Sequence, residues 1–133
     1  MAYAGVNGQE IYYEDTGGHG PAVILAHGFL MDHEMFAPQV AALRDEYRVI
    51  TWDERGFGQT MHDGHAFTYW DSAHDCLALL DHLGIERAVV GGMSQGGFLS
   101  LRVALSAPER VRGLILLDTQ AGAEDPDKVA LYQ

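Results

Sequence analysis

The sequence VVGGMSQGGF, residues 89–98, decides the fold of this chain. It combines a short apolar run, a serine flanked by glycines and the start of a helical pattern. Gly92 and Gly96 lie two residues on either side of Ser94, where larger side chains would collide with the helix or the neighbouring strand. The stretch therefore predicts a buried strand, a sharp turn that exposes the Ser94 hydroxyl, and a helix. A glycine-rich turn with an incidental serine is the alternative, because five-residue patterns recur by chance.

Strand and helix patterns alternate on both sides of this stretch. Asn7-Gly8 between two β-prone runs predicts an antiparallel hairpin, because both turn residues need positive φ. A continuous apolar run, typical of a parallel strand covered on both faces, occurs at residues 22–26. Further strands are predicted at residues 47–52, 88–92 and 111–118. One-sided helical patterns occur at residues 34–45, at 68–84 and from 95 to just before Pro108. This order predicts an α/β fold, a doubly wound and mostly parallel sheet of about six strands with an N-terminal antiparallel hairpin.

The helix predicted at residues 68–84 has an apolar stripe and a polar face. Thr68 is suited to cap its first turn. Cys76, the only cysteine of the chain, lies on the stripe and is predicted to be a small core residue. A lone cysteine excludes an internal disulfide and fits a reducing cytoplasm. We expect the polar face to be solvated rather than to bind a metal: it consists of Asp71, His74, Asp75, Asp81 and His82.

Composition limits the function classes that are open to this chain. Its 133 residues, of which 47% are apolar and 20% charged, predict a single soluble globular domain at most. A net charge of −11 and a pI near 4.8 argue against nucleic acid or an anionic membrane as a partner. The sequence contains neither an apolar run of about 18 residues nor a basic-then-apolar leader, so we expect a cytoplasmic protein.

Three predicted strands end in residues that suggest a site. HGF at residues 27–29 follows one strand, DERGFGQT at 53–60 follows another, and Ser94 follows a third. Ligands of open α/β sheets bind beyond the carboxyl ends of the strands. We therefore expect these segments to converge on one site, for which neither a cofactor nor a metal is predicted.

The ordered set of motifs resembles the α/β-hydrolase family of serine esterases, lactonases and perhydrolases. The matching segments cover about residues 3–120 and are HGF (27–29), DERGFGQT (53–60), GMSQGG (92–97) and PERVRGL (108–114). The resemblance implies that Ser94 is the nucleophile. It also implies that the backbone N–H groups of Phe29 and Gln95 form the oxyanion hole.

The same resemblance implies supporting roles for four residues near the strand ends. His27 and Gly28 would shape the oxyanion loop, and His27 would not be the catalytic base. Asp53 and Arg55 would fix the loop beside the site, which is a structural rather than a catalytic role. Dehalogenases and epoxide hydrolases of this scaffold have an aspartate where Ser94 stands, so the serine favours acyl transfer on a small-molecule ester, lactone or related substrate.

The sequence departs from the family pattern in one respect. The triad order in this fold is serine, then acid, then histidine, but all seven histidines precede Ser94. Asp118 is a possible triad acid, although that position is more often structural. We therefore expect about half of a hydrolase: residues 1–118 as the N-terminal part of the core and 119–133 as the start of a cap or a linker. The chain alone is predicted to be weakly active or inactive.

The predicted strand at residues 111–118 would then have an open, apolar edge. Such an edge invites pairing with another chain, so we expect a homo-oligomer or a separate chain that supplies the C-terminal half. Two other functions stay open. One is a non-enzymatic half-fold, a truncation or a designed fragment that associates without activity. The other is a small-molecule binding module that uses the pocket without turnover.

Overall fold

The computed structural model describes residues 2–28, 31–60 and 67–119. In these ranges the strands are β1 (Ala2–Val6), β2 (Gln9–Asp15), β3 (Ala22–Ala26), β4 (Arg48–Trp52), β5 (Ala88–Met93) and β6 (Val111–Leu117). The helices are α1 (Ala37–Leu43), α2 (Tyr69–His82) and α3 (Gln95–Ser106), and short 3-10 turns lie at His33–Phe36 and Pro108–Arg110.

The six strands form one sheet in the order β1-β2-β4-β3-β5-β6. The β1–β2 and β2–β4 pairs are antiparallel, whereas β3–β4, β3–β5 and β5–β6 are parallel. Asn7 and Gly8 have φ of 50° and 76° in the β1–β2 turn, the positive values that a tight hairpin requires. The predicted mostly parallel sheet with an N-terminal hairpin is confirmed.

The core lies on both faces of the sheet. Alternate residues of β3 point to opposite faces, so Ile24 packs in the larger cluster with Leu79 and Leu99, while Val23 and Leu25 pack in a smaller one with Phe36. Every residue of β3 is buried, as its continuous apolar sequence predicts.

Helix α2 confirms two predictions and corrects a third. The Thr68 side chain accepts a hydrogen bond from the Asp71 backbone N–H, and the Asp71 side chain accepts one from the Thr68 N–H, which completes a capping box. Cys76 is buried in the core. Asp75, which the sequence places on a solvated face, is also fully buried, because the loop after β4 brings the guanidinium of Arg55 against it.

The segment predicted as one helix at residues 34–45 has two parts. A 3-10 turn at His33–Phe36 precedes α1, and Asp32 caps that turn by accepting a hydrogen bond from the Glu34 N–H. Pro38 then lies in the first turn of α1, where the missing N–H has no helical partner to lose.

Strand β6 is at one edge of the sheet. Three of its apolar side chains are about two-fifths exposed: Leu114 at 39%, Leu116 at 41% and Leu117 at 42%. Within the ranges that the structure describes, no helix has the length and apolar character needed to cross a membrane.

Candidate active site

Ser94 occupies the turn between β5 and α3 with φ 50° and ψ −109°. Positive φ is strained for a residue with a side chain, and hydrogen bonds hold the main chain of Ser94 in this conformation. Its N–H donates to the Leu117 carbonyl at 2.9 Å, and its carbonyl accepts from the Phe98 N–H and the Thr119 hydroxyl, both at 3.0 Å. The Ser94 hydroxyl is half-buried and does not cap α3. It is therefore available at the carboxyl end of the sheet.

Gly92 and Gly96 allow this turn to lie against the end of β3. A Cβ added at Gly92 would be 2.5 Å from the Ala26 carbonyl oxygen. A Cβ at Gly96 would overlap the same oxygen and lie 2.8 Å from the His27 carbonyl oxygen. Both neighbours are backbone atoms, which cannot move aside as a side chain can, so the predicted need for glycine at both positions has a steric basis.

The structure describes one of the two predicted oxyanion-hole donors. Gln95 is the first residue of α3, and first-turn N–H groups have no partner within their helix. Phe29 lies outside the described residues. Its neighbour Gly28 is buried, and a Cβ there would be 2.8 Å from the Met93 Cε. The chain that leads into Phe29 therefore lies against the residue that precedes Ser94.

His27 is fully buried and uses both ring nitrogens. Nε2 accepts a hydrogen bond from the Glu54 backbone N–H at 2.9 Å, so the proton is on Nδ1, which donates to the Gly28 carbonyl at 2.8 Å. Burial lowers the pKa of His27 below its usual value. In this arrangement His27 supports the loop at residues 27–28, and neither nitrogen is free to accept a proton from a serine.

Glu54 is a buried carboxyl group that the sequence analysis did not single out. Its Oε1 accepts a hydrogen bond from the Gln95 side-chain amide at 2.8 Å, and its Oε2 lies 3.3 Å from the His27 Nδ1. Burial and the nearby charge of Asp53 raise the pKa of Glu54 well above its usual value, which favours the neutral acid. The one sequence signal is a glutamate two residues beyond the end of an apolar strand.

Asp53 holds the loop that follows β4. Its Oδ1 accepts from the backbone N–H and the ring Nδ1 of His33, and its Oδ2 accepts from the Gln59 N–H, all at 2.8 Å. Ligand atoms of Asp32, His33 and Asp53 lie within 4.8 Å of one another, a spacing that a metal ion could use. Because one Asp53 oxygen accepts hydrogen bonds from His33 and the other accepts one from Gln59 in this loop, we assign Asp53 a structural role.

Arg55 and Asp118 are placed differently. Arg55 forms an ion pair with Asp75 on α2 rather than with a group beside Ser94. Asp118 follows β6 with φ 47° and is exposed. It lies between Leu117 and Thr119, which both bond to the Ser94 main chain.

The structure describes five of the histidines, and none of them forms a hydrogen bond with the Ser94 side chain. His27 and His33 are buried in the contacts given above, and the other three are exposed: His19, His74 and His82. His62 and His65 lie outside the described residues, as do the acidic residues of the tail after Thr119. The described part of the chain thus brings together a serine and an unpaired helix N–H, but adds no imidazole to them.

Comparison with known proteins agrees with this geometry. The family described as alpha/beta hydrolase fold matches residues 21–133. The 3-oxoadipate enol-lactonase 1 of Acinetobacter baylyi is 35% identical over 103 residues, which are 77% of this chain and 38% of that protein. A thermophilic esterase from Thermogutta terrifontis is 37% identical with a TM-score of 0.88, over 95% of this chain and 48% of that one.

A second solved structure, the enol-lactonase from Burkholderia xenovorans LB400, is 35% identical with a TM-score of 0.89, over 94% of this chain and 49% of that one. The chain thus spans about half the length of these relatives, or less. It corresponds to the N-terminal portion of their fold. Motifs, sheet order and similarity agree that the chain belongs to the α/β-hydrolase fold family.

Proposed function

We propose that this chain carries the nucleophile and the oxyanion-binding part of a serine hydrolase that acts on carboxylic ester-type substrates. The observation that carries the proposal is the backbone of Ser94, which is held at positive φ by hydrogen bonds with Leu117, Phe98 and Thr119. No described residue forms a hydrogen bond with its hydroxyl. The strain of such a conformation is characteristic of residues that act in catalysis.

The proposed reaction is acyl transfer through a covalent intermediate. The Ser94 Oγ bonds to the substrate carbonyl carbon as its proton passes to a base, and the carbonyl oxygen becomes an oxyanion that accepts hydrogen bonds from the Gln95 and Phe29 N–H groups. The bond to the leaving alkoxide then breaks, and that alkoxide takes the proton from the base. Water repeats these steps to release the acid and regenerate Ser94.

The residue type at position 94 favours ester and lactone substrates. A serine gives an acyl-enzyme that water can hydrolyse, whereas displacement at a halogenated or epoxide carbon uses a carboxylate nucleophile in this scaffold. The similarity to proteins named esterase and enol-lactonase supports the same substrate class. None of the groups in this reaction is a cofactor.

We further propose that the base is an imidazole from outside residues 1–133, because all seven histidines of this sequence precede Ser94 and the triad order places the histidine after the serine. His27, which directly follows β3, already uses both ring nitrogens in hydrogen bonds. A triad without its base retains only about 10³- to 10⁴-fold acceleration over water. The chain alone should therefore turn over esters slowly. We propose Asp118 as a candidate for the acid of the triad.

Labelling with a fluorophosphonate tests the nucleophile. We expect one phosphonyl adduct on the peptide that contains Ser94, formed faster when free imidazole is added as a base. The adduct should be lost in Ser94→Ala and retained in Ser106→Ala, a change at an exposed serine at the end of α3. An adduct that persists in Ser94→Ala would contradict the nucleophile. Rapid ester turnover by the chain alone, abolished by Ser94→Ala, would contradict the external base.

The open edge of β6 is the basis of a proposal about partners. We propose that in the isolated chain this edge pairs with β6 of a second copy, in an antiparallel arrangement centred on Ile115. That register places Leu114 opposite Leu116 and Arg112 opposite Asp118, so apolar and oppositely charged side chains meet. All four of these side chains are exposed.

Light scattering after size exclusion tests the pairing. We expect a dimer that Leu116→Lys converts to monomer, while Leu105→Lys, at a side chain of α3 that is 73% exposed, leaves it intact. Arg112→Asp should weaken the dimer and the added change Asp118→Arg should restore it. A monomeric wild-type chain, or a dimer indifferent to Leu116→Lys, would contradict the proposed edge.

A further inference from the structure

Three buried groups connect the ends of β3, β4 and the start of α3. The His27 ring donates to the Gly28 carbonyl and accepts from the Glu54 N–H, and the Glu54 carboxyl accepts from the Gln95 side chain, with distances of 2.8, 2.9 and 2.8 Å. All three side chains are at most 6% exposed. Water therefore does not compete for these hydrogen bonds, which makes them strong determinants of local geometry.

This network connects Gly28 to Gln95, and the two proposed oxyanion donors belong to Gln95 and to the residue that follows Gly28. Gln95 carries one of them on its own backbone, and Gly28 directly precedes Phe29, which carries the other. The Gln95 side chain is buried and donates its amide hydrogen bond to Glu54. A shift of the Glu54 carboxyl would thus move the first residue of α3 relative to the loop at residues 27–28.

The charge of Glu54 matters as much as its position. The groups that face its carboxyl are the His27 ring on the β3 side, Asp53 beside it, the Gln95 amide on α3 and the Cys76 thiol on α2. None of them is a cation in this arrangement, because the His27 Nε2 accepts a hydrogen bond from the Glu54 N–H and therefore carries no proton. Burial also lowers the pKa of His27. The negative charge of an ionised Glu54 would have no neighbouring cation to compensate it. That charge would also oppose the formation of an oxyanion at the Gln95 backbone N–H.

We propose that Glu54, as a neutral carboxylic acid, and Gln95 form a positioning pair that fixes the first amide of α3 for oxyanion binding. The inference rests on the proposed function of Ser94. Neither residue contacts the reacting atoms. Their effect on the reaction is exerted through the orientation of the Gln95 backbone and through the absence of a negative charge next to it.

The rate of Ser94 phosphonylation across pH 6–10 tests the pair, because the phosphonyl oxygen occupies the oxyanion site. Wild type should lose rate at high pH, relative to Glu54→Gln, as Glu54 ionises. Glu54→Gln is isosteric, stays neutral and keeps a partner for Gln95, so its rate at pH 7 should be close to that of wild type. An infrared band of a protonated carboxyl group, present in wild type at pH 7 and absent in Glu54→Gln, reports the charge state directly.

An exchange of the two residues supplies the control. Gln95→Glu alone places two carboxyl groups side by side, and one of them ionises. Its rate should fall by up to about 100-fold at pH 7 and recover as the pH is lowered. Glu54→Gln combined with Gln95→Glu restores one acid and one amide, and should restore the rate. Circular dichroism checks that each variant is folded.

The outcomes separate this inference from the function on which it rests. Absence of any adduct on wild-type Ser94 overturns the nucleophile and the positioning pair together. An adduct that is lost in Ser94→Ala, but forms at the same rate and with the same pH profile in every folded Glu54 and Gln95 variant, overturns the positioning pair alone.

Discussion

Arg55 donates two hydrogen bonds to the carboxylate of Asp75, at 2.6 Å from Nε and 3.0 Å from Nη2. Asp75 is fully buried in the middle of α2, and it also accepts a hydrogen bond from the Asn7 side chain at 2.8 Å. The pair joins the loop after β4 to α2 and to the β1–β2 turn. Arg55 is thus the positively charged partner of the buried Asp75 carboxylate.

Replacing Arg55 should therefore destabilise the whole fold. Arg55→Met leaves the buried Asp75 carboxylate without its cation, and we expect the free energy of unfolding in urea to fall by about 3 kcal/mol or more. Arg44→Met is the matched control, because Arg44 is exposed on the C-terminal side of α1, and it should change that free energy by less than about 0.5 kcal/mol. Equal effects of the two changes would contradict this role of Arg55.

The pH dependence of stability should depend on His33. Its Nδ1 lies 2.8 Å from Asp53 and its Nε2 3.1 Å from Glu14. Burial lowers the pKa of His33, but the hydrogen bond to Asp53 and the charges of Asp53, Glu14 and Asp32 outweigh it and hold that pKa above its usual value. A raised pKa in the folded state adds stability below the unfolded pKa of about 6.5, and this stability is lost as the pH rises through the folded value.

The measurement is urea unfolding at pH 6 to 9 for wild type and His33→Gln. We expect the stability advantage of wild type over the variant to shrink as the pH rises. His74→Gln, at an exposed histidine of α2, should show no such trend. An advantage over His33→Gln that stays constant across this pH range would mean that the charge on His33 does not contribute.

The close contact between α3 and β3 predicts a sharp difference between two glycines. Gly96→Ala would drive a methyl group into the Ala26 and His27 carbonyls, whereas a Cβ at Gly113 on β6 meets nothing within 4 Å. Overpacking of this kind costs about 1–3 kcal/mol. Gly96→Ala should lower the unfolding free energy by that amount and slow the phosphonylation of Ser94. Gly113→Ala should do neither, and similar losses in the two variants would contradict the steric argument.

Local sequence patterns were sufficient for most of the fold. The strand runs, the Asn7-Gly8 turn, the Thr68 cap and the buried Cys76 all follow from the chemistry of a few neighbouring residues, and each is confirmed. The position of Ser94 between β5 and α3 follows in the same way. The start of α1 was less well predicted, because a 3-10 turn and an α-helix share nearly the same apolar spacing.

The polar interior could not be read from the sequence. Asp75 was assigned to a solvated face because charged residues are rarely buried without a partner, and its partner Arg55 comes from a loop between β4 and α2. Glu54 and Gln95 were missed as a pair for the same reason, since they are 41 positions apart in the chain. Such contacts form only when the sheet brings the strand ends together, so the periodicity of apolar residues along the sequence does not predict them.

The position of Cys76 has a practical consequence. It is the only thiol in the chain, it lies on the buried face of α2, and burial raises its pKa to about 12. The thiolate, and not the thiol, attacks alkylating reagents, so folded molecules should be almost inert to iodoacetamide. Each carbamidomethyl group gained then marks a molecule whose core has opened. Mass spectrometry of the intact chain can therefore measure the opening rate without any engineered probe.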